Sequence, residues 1–228
     1  FSRYGLQLTA RETGEMNGLD AGNFLHAAAE RFAGLAQSEQ TEAAARRIAG
    51  DIAQSEMKYG LKGNAPLTAR LVDEAVRLCL VIKRQLEAGS YTSFAREAPF
   101  GPDERFPALP LETRAGTVLL CGKIDRVDAS GEYRRVIDYK TGRIEAKPVP
   151  YYTGRKLQLE LYLTAASQGA KPAGAYYFPA QVSYHHADEL PFRMLGYTLD
   201  TEENILRSDT SLEAGKKSRF IEASYRGK

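Results

Sequence analysis

The chain has 228 residues, of which 43% are hydrophobic and 26% are charged, and its formal net charge is +2 at pH 7. These proportions are ordinary for a soluble globular protein with a sizeable core. The small charge neither requires nor opposes nucleic-acid binding. No long apolar run predicts a membrane span, and no signal-peptide pattern opens the chain. Because the chain begins at Phe1 and not at Met, we expect it to be a fragment of a larger protein.

The two cysteines predict a reducing environment. Cys79 lies in the apolar sequence LCLVI and Cys121 in LLCGK. Two cysteines in apolar surroundings are typical of buried free thiols rather than of a disulfide framework. We therefore expect a cytoplasmic protein with no membrane partner.

The first 90 residues predict helices. Residues 1–20 read as a loop, after which Asp20 is predicted to cap a helix over 21–36. Two more helices are predicted over 41–59 and 66–89, the last of which ends at a glycine. The first helix has apolar side chains at helical spacing, which we expect to face the core: Phe24, Leu25, Ala28, Phe32 and Leu35.

The rest of the chain predicts mostly strands. A strand is expected over 91–100, and a long apolar strand over 117–127. Ser130-Gly131 supplies a turn, from which the segment 133–139 continues as a second β-rich segment. Further strands are expected over 173–179 and 194–199. His185 and His186 fall in a polar loop between these two strands, and we expect them to be loop residues.

The segment 156–166 is ambiguous by pattern. Its leucines recur at every second position from Leu157 to Leu163, which favours a strand. Its composition of Leu, Gln, Glu and Ala favours a helix, and its length exceeds that of a mean strand. The residues alone leave both structures open.

Two carboxylates flank the predicted turn. Asp125 and Asp138 are 13 residues apart, and a turn near residue 130 would return one strand alongside the other. The two side chains could then face one another across adjacent strands, where like charges repel. A positive group must compensate these two negative charges. Lys140, two positions after Asp138 and hence on the same strand face, is one candidate, and a hard divalent cation is the other.

The sequences GKIDR and DYKTG, placed on a predicted hairpin, resemble the active-site core of the PD-(D/E)XK nuclease superfamily in its RecB-like branch. Two further matches support this resemblance. The run from Gly22 to His26 matches the G-x-x-x-H helix of these nucleases, and the run from Gln158 to Tyr162 matches their Q-x-x-x-Y helix. The second match favours a helix over 156–166.

The resemblance implies an α/β fold. We expect a restriction-endonuclease-like core, with a mixed central β-sheet flanked by helices and an N-terminal helical extension. Residues 1–90 would form the helical part that carries His26, and residues 91–228 the nuclease core. Together they would make one domain.

The resemblance also implies a metal-dependent deoxyribonuclease. Catalysis is expected from three residues on the hairpin: Asp125, Asp138 and Lys140. A Mg²⁺ or Mn²⁺ ion is expected to bind four groups: His26, Asp125, Asp138 and the backbone carbonyl of Tyr139. Without the resemblance, His26 would be interpreted as a surface or core-edge histidine.

Three more residues are candidates for supporting roles. Gln158 and Tyr162, one helical turn apart, could bond a phosphate or stack on a base. Without the resemblance both would be ordinary helix-surface residues. Glu97 has three candidate roles: an exposed strand residue, a partner for a basic side chain, or an extra acidic group near the metal.

More narrowly, the opening FSRYGLQL and the closing phrases MLGYTLDTEENI and GKKSRFI resemble the C-terminal nuclease domain of AddB, a component of bacterial AddAB helicase–nucleases. This implies an AddA-like helicase partner in the full-length protein and single-stranded DNA ends as substrate, with cleavage of the 5′-ended strand. AddB proteins carry four cysteines for an iron–sulfur cluster. Neither Cys79 nor Cys121 corresponds to them, so we expect no cluster in this chain.

Three alternatives remain open. The first is a catalytically inactive DNA-binding module on the same fold, against which the presence of the histidine, both aspartates and the lysine argues. The second is a stand-alone Cas4-like nuclease. The third is a metal hydrolase that acts on small phosphate esters.

Overall fold

The structure, a computed structural model, describes residues 18–55, 65–142, 144, 154, 156–180, 193–221 and 223. Predictions for the lead-in 1–17 and for His185 and His186 lie outside these residues. The described helices are α1 (Gly18–Ala33), α2 (Glu42–Ser55), α3 (Ala65–Ala88), α4 (Gln158–Ala166) and α5 (Glu202–Ser208). The described strands are β1 (Thr92–Phe100), β2 (Leu109–Thr113), β3 (Gly116–Leu120), β4 (Gly122–Ser130), β5 (Tyr133–Lys140), β6 (Lys171–Pro179) and β7 (Leu195–Thr198).

Helix α1 confirms the predicted apolar stripe except at Leu35, which lies beyond the end of the helix and is only partly buried. Phe24, Leu25 and Phe32 are fully or almost fully buried, and they pack with α2 and α3 in one hydrophobic core. The predicted cap at Asp20 is wrong, because the helix already begins at Gly18 and Asp20 lies within its first turn. An acidic residue at that position still favours the positive end of the helix dipole.

A five-stranded sheet forms the centre of the fold, in the order β1-β4-β5-β6-β7. Strands β5 and β6 are parallel, and the other neighbours are antiparallel. One face of this sheet packs against the three N-terminal helices through residues such as Ile137 and Phe178. The other face packs against α4 through residues such as Val136 and Leu159. The predicted mixed sheet flanked by helices is confirmed.

The single long strand predicted over 117–127 is wrong. Strand β3 pairs with β2 in a separate two-stranded ribbon, and β4 begins only at Gly122, where it joins the central sheet. Gly122 is paired with Phe100, whose ring lies where a β-carbon would be, 2.6 Å from the ideal position. A larger residue would therefore block this pairing. At the break between the strands Cys121 is exposed, so the prediction that both cysteines are buried holds only for Cys79.

The β4–β5 hairpin turns where the sequence predicted it. Ser130 pairs with Tyr133, and Gly131 between them has a φ of +57°, which glycine adopts at little cost. This short turn fixes the register, so that Arg126 lies opposite Ile137. The next positions outward from the turn on the two strands are Asp125 and Asp138.

The ambiguous segment is a helix, as the resemblance predicted. Helix α4 connects the parallel strands β5 and β6, a connection that requires a crossover element. Leu159, Ala165 and Ala166 are its buried residues, while its N-terminus places Gln158 beside the end of β5. Among the described residues, no helix is both long and apolar enough to cross a membrane.

Candidate active site

The hairpin places its two aspartates side by side, one position beyond the last paired residues of β4 and β5. Asp125 is bound to the neighbouring strand, because its Oδ2 accepts a hydrogen bond of 2.8 Å from the backbone amide of Tyr139. Asp138, the residue before Tyr139, is 2% exposed. The two strands thus hold the carboxylates close enough for their negative charges to repel each other.

Helix α1 brings His26 to this pair. The Nδ1 atom of His26 lies 3.5 Å from Oδ2 of Asp125. The other ring nitrogen, Nε2, lies 3.0 Å from the carbonyl oxygen of Tyr139, which can accept its proton. The imidazole therefore contacts two of the groups that were predicted to share a metal with it.

Glu97 joins the same cluster through an unusual backbone conformation. Its φ is +43°, which few non-glycine residues adopt and which is costly within a strand. Its Oε1 lies 3.8 Å from Nδ1 of His26, and its Oε2 forms an ion pair with Lys123. The structure thus places Glu97 both as partner of a basic side chain and as an extra acidic group beside His26 and Asp125.

Asp138 has a different set of partners. The ammonium group of Lys140 lies 2.5 Å from its Oδ2, and the amide of Gln158 donates a 2.8 Å hydrogen bond to its Oδ1. Lys140 also donates to Oε1 of Gln158 at 3.1 Å. The same Gln158 amide nitrogen donates to the hydroxyl oxygen of Tyr162 at 3.0 Å. Asp138, Lys140, Gln158 and Tyr162 therefore form one hydrogen-bonded group.

Burial and neighbouring charges shift the pKa values of the cluster. Burial, opposed by the charge of His26 and assisted by that of Asp138, raises the pKa of Asp125 to about 6. Burial also raises the pKa of Asp138, although Lys140 opposes it. Hydrogen bonding to His26, opposed by burial, lowers the pKa of Glu97. Burial disfavours the charged form of His26, but Glu97 and Asp125 outweigh it and raise its pKa.

The donor set fits a divalent cation. Ligand atoms of His26, Glu97 and Asp125 all lie within 4.8 Å of one another. Two ligands of one ion bound at about 2.1 Å can be at most about 4.2 Å apart, so the 3.5 and 3.8 Å separations suit a shared ion. Carboxylate oxygens with one imidazole are donors that Mg²⁺ and Mn²⁺ accept. The same separations also suit a protonated His26 between two carboxylates, so a proton and a cation would compete for this place.

The sequence did not identify Lys123 as a part of this group. Lys123 and Asp125 are two positions apart on β4 and hence share a strand face, which was the available signal. The predicted residues did come together in two adjoining groups. One contains His26, Asp125, the Tyr139 carbonyl and Glu97, and the other contains Asp138, Lys140, Gln158 and Tyr162.

Comparison with known protein families gives a match along almost the whole chain. The sequence model of the PD-(D/E)XK nuclease superfamily matches residues 1–219. That range contains every residue of the two groups described above.

Individual relatives are similar at a moderate level. The chain is 30% identical to an ATP-dependent helicase/deoxyribonuclease subunit, AddB, of Pelotomaculum thermopropionicum, over 83% of this chain and 18% of the relative. Proteins of the same name from Clostridium kluyveri and Desulforudis audaxviator are 29% and 33% identical, over 99% and 79% of this chain. The chain spans about a fifth of the length of these relatives, 18–23%.

Proposed function

The chain belongs to the PD-(D/E)XK nuclease superfamily, and we propose that it is a deoxyribonuclease that uses Mg²⁺ or Mn²⁺ to hydrolyse phosphodiester bonds in DNA. The observation that carries this proposal is the meeting of His26 on α1 with Asp125 on β4, next to Asp138 and Lys140 on β5. An imidazole, two aspartates and an ammonium group are the set that the sequence motifs predicted.

The residues divide into those that hold the ion and those that act on the phosphate. The proposed ligands are His26, Asp125, Asp138, the Tyr139 carbonyl and, in addition, Glu97. Nδ1 of His26 faces the carboxylates and Nε2 faces the Tyr139 carbonyl, so the imidazole must turn for one ion to bind both the ring and that carbonyl. The bound cation would supply an acidified water and offset charge on the phosphoryl oxygens. Nζ of Lys140, whose side chain is 38% exposed, can donate to an oxygen that gains negative charge during the reaction.

Gln158 and Tyr162 support the second group. The amide nitrogen of Gln158 donates to Asp138, and its amide oxygen accepts from Lys140. This one side chain therefore fixes the distance between the carboxylate and the ammonium group. Partners that orient a ligand in this way are commonly worth 10–100-fold in metal affinity or activity. We propose that Gln158 orients both residues and that Tyr162 orients Gln158.

We further propose that residues 1–90 and 91–228 act as one domain. Support comes from the core, in which apolar residues of α1, α2 and α3 pack with residues of β5 and β6. The proposed site depends on this packing, because His26 comes from a helix and the acids come from the sheet.

The name of the relatives supports a proposal about the biological setting. We propose that the chain is the nuclease part of a helicase–nuclease that processes DNA ends for recombinational repair, and that an AddA-like helicase is its partner in the full-length protein. Single-stranded DNA released by the helicase would be the substrate.

The direct test is cleavage of end-labelled single-stranded DNA by the chain. We expect cleavage with Mg²⁺ or Mn²⁺, none in EDTA, and none by the Lys140→Ala variant. Labels at the 5′ and 3′ ends would report the direction of cleavage. DNA binding that persists without cleavage under all metal conditions would instead support a catalytically inactive binding module. Turnover of a chromogenic phosphate ester, without cleavage of DNA, would support a small-phosphate hydrolase.

A further inference from the structure

Tyr139 links the candidate site to the interior of the protein. Its backbone belongs to the site, because its amide donates to Asp125 and its carbonyl lies 3.0 Å from Nε2 of His26. Its side chain points away into the core and is 3% exposed. The backbone of this one residue therefore orients two proposed metal ligands, Asp125 and His26, and its carbonyl is a third.

The Tyr139 hydroxyl has a charged partner in the core. Nη1 of Arg126 donates a 3.0 Å hydrogen bond to it, and the guanidinium lies 5.8 Å from the ring centroid. Arg126 is fully buried. A hydrogen bond from a buried cation is among the stronger kinds, so it restrains the ring more firmly than packing alone.

Arg126 is itself held from several sides. Its Nε lies 3.0 Å from Oδ1 of Asp128, and its Nη2 donates to Gln85 of α3 at 3.2 Å. Asp128 also binds Arg135 through its Oδ2 at 2.9 Å. The guanidinium is thus fixed to a helix and to both strands of the hairpin.

We propose that Arg126 is a positioning residue for the candidate metal site, acting through the Tyr139 hydroxyl to hold the backbone of Tyr139, which orients Asp125 and His26. This inference rests on the proposed function of that site. Arg126 touches neither substrate nor metal. Its effect is on how closely the ligands of the metal-free protein match the geometry that the cation requires.

The test compares two buried tyrosines of the same sheet. Tyr139→Phe removes the hydroxyl that Arg126 binds and keeps the ring. Tyr176→Phe is the matched control, because Tyr176 is 1% exposed and its hydroxyl bonds Thr198 at 2.8 Å. Among the described contacts, none joins the Tyr176 hydroxyl to the candidate site. Both variants lose one side-chain hydrogen bond, which is buried at Tyr139 and partly buried at Tyr176.

Two measurements then separate positioning from general stability. By titration calorimetry with MnCl₂ alone, we expect Tyr139→Phe to weaken binding about tenfold and Tyr176→Phe to leave it unchanged. By amide hydrogen exchange in EDTA, we expect faster exchange at position 139 in Tyr139→Phe only. Equal Mn²⁺ affinity and equal exchange in the two variants would overturn the positioning role.

The Mn²⁺ titration of the parent chain keeps the inference separate from the proposed function. Absence of Mn²⁺ binding by the parent chain would refute the metal site and with it this role of Arg126. Mn²⁺ binding by the parent that Tyr139→Phe does not weaken would refute the inference alone. Arg126→Lys, which keeps the charge but shortens the reach, should weaken Mn²⁺ binding less than Arg126→Met does.

Discussion

Two clusters of charged side chains share strands β4 and β5 but differ in burial and balance. The first, which we call the acid cluster, contains the carboxylates of Glu97, Asp125 and Asp138, the ammonium groups of Lys123 and Lys140, and the imidazole of His26. The second, the arginine cluster, combines two guanidinium groups with one carboxylate: Arg126, Arg135 and Asp128. The arginine cluster is almost completely buried, whereas parts of the acid cluster reach solvent.

The difference shows what separates a structural ion pair from a candidate site. In the arginine cluster, the carboxylate of Asp128 is enclosed by guanidinium groups that fix the strands to one another. In the acid cluster, burial and a second acid raise the pKa of Asp125 to about 6, and the positive group nearest to it is a titratable imidazole and not a guanidinium. A perturbed carboxyl group beside an accessible lysine is a functional signal, whereas burial alone is not.

The largest expected effect comes from neutralising an aspartate of the acid cluster. Asp125→Asn should reduce DNA cleavage at least about 100-fold, because a direct metal ligand should matter no less than its supporting partners. The folded state should keep its stability in EDTA, since the amide oxygen can still accept from Tyr139 and a desolvated charge is removed. Cleavage of labelled DNA and thermal unfolding measure the two outcomes.

The control for that substitution lies in the arginine cluster. Asp128→Asn should lower the free energy of unfolding by about 3–5 kcal/mol, because it leaves two buried guanidinium groups without their carboxylate. Urea unfolding of both variants tests the contrast. Comparable destabilisation by Asp125→Asn and Asp128→Asn would contradict the distinction between the clusters.

Metal binding by the acid cluster should depend strongly on pH. The pKa values of His26 and Asp125 are both raised, so a cation must displace protons from them. Below these pKa values we expect Mn²⁺ affinity to increase about tenfold per pH unit for each proton displaced. Titration calorimetry between pH 5 and 8, in buffers of different ionisation enthalpy, measures both affinity and proton release. An affinity that is constant over this range would argue against His26 and Asp125 as ligands.

The metal-free protein should show the opposite trend in stability. Asp125 titrates near 4 in an unfolded chain and near 6 in the folded one, so between these values the folded state holds a proton that the unfolded state has lost. The contribution of Asp125 to stability therefore falls as pH rises through this window, by on the order of 2 kcal/mol. The stability difference between Asp125→Asn and the parent, measured in EDTA, should grow from pH 4 to pH 7. A constant difference would show that the pKa of Asp125 is not raised.

The acid cluster was more predictable from sequence than the arginine cluster. His26, Asp125, Asp138 and Lys140 occur in short motifs, and a tight turn at Gly131 fixes the register that brings the two aspartates together. The contacts among the hairpin residues depend on local strand geometry, which alternation and turn residues encode. His26 comes from a helix, and only the resemblance to a nuclease family predicted it beside the aspartates.

The remaining contacts depend on features that no local pattern specifies. The position of Glu97 depends on a positive φ in a non-glycine residue, and strand propensity does not indicate it. The bond from Arg126 to Gln85 depends on how α3 packs on the sheet, across 41 positions of sequence. The break at Cys121 was missed because the apolar run continues through it, although the backbone changes sheets there.

The smallest expected effects come from substituting one glutamine beside each of the two clusters. Gln158 bonds Asp138 and Lys140, whereas Gln85 bonds Arg126. Gln158→Leu should reduce cleavage about tenfold, because it releases Asp138 and Lys140 from a shared partner. It should change unfolding little, because the buried carboxylate of Asp138 keeps its ion pair with Lys140. Gln85→Leu should instead lower the free energy of unfolding by about 1–3 kcal/mol, because a buried guanidinium loses an acceptor. Cleavage rates corrected for the folded fraction separate an effect on catalysis from an effect on stability. A larger loss of cleavage in Gln85→Leu would mean that the arginine cluster controls the site more directly than Gln158 does.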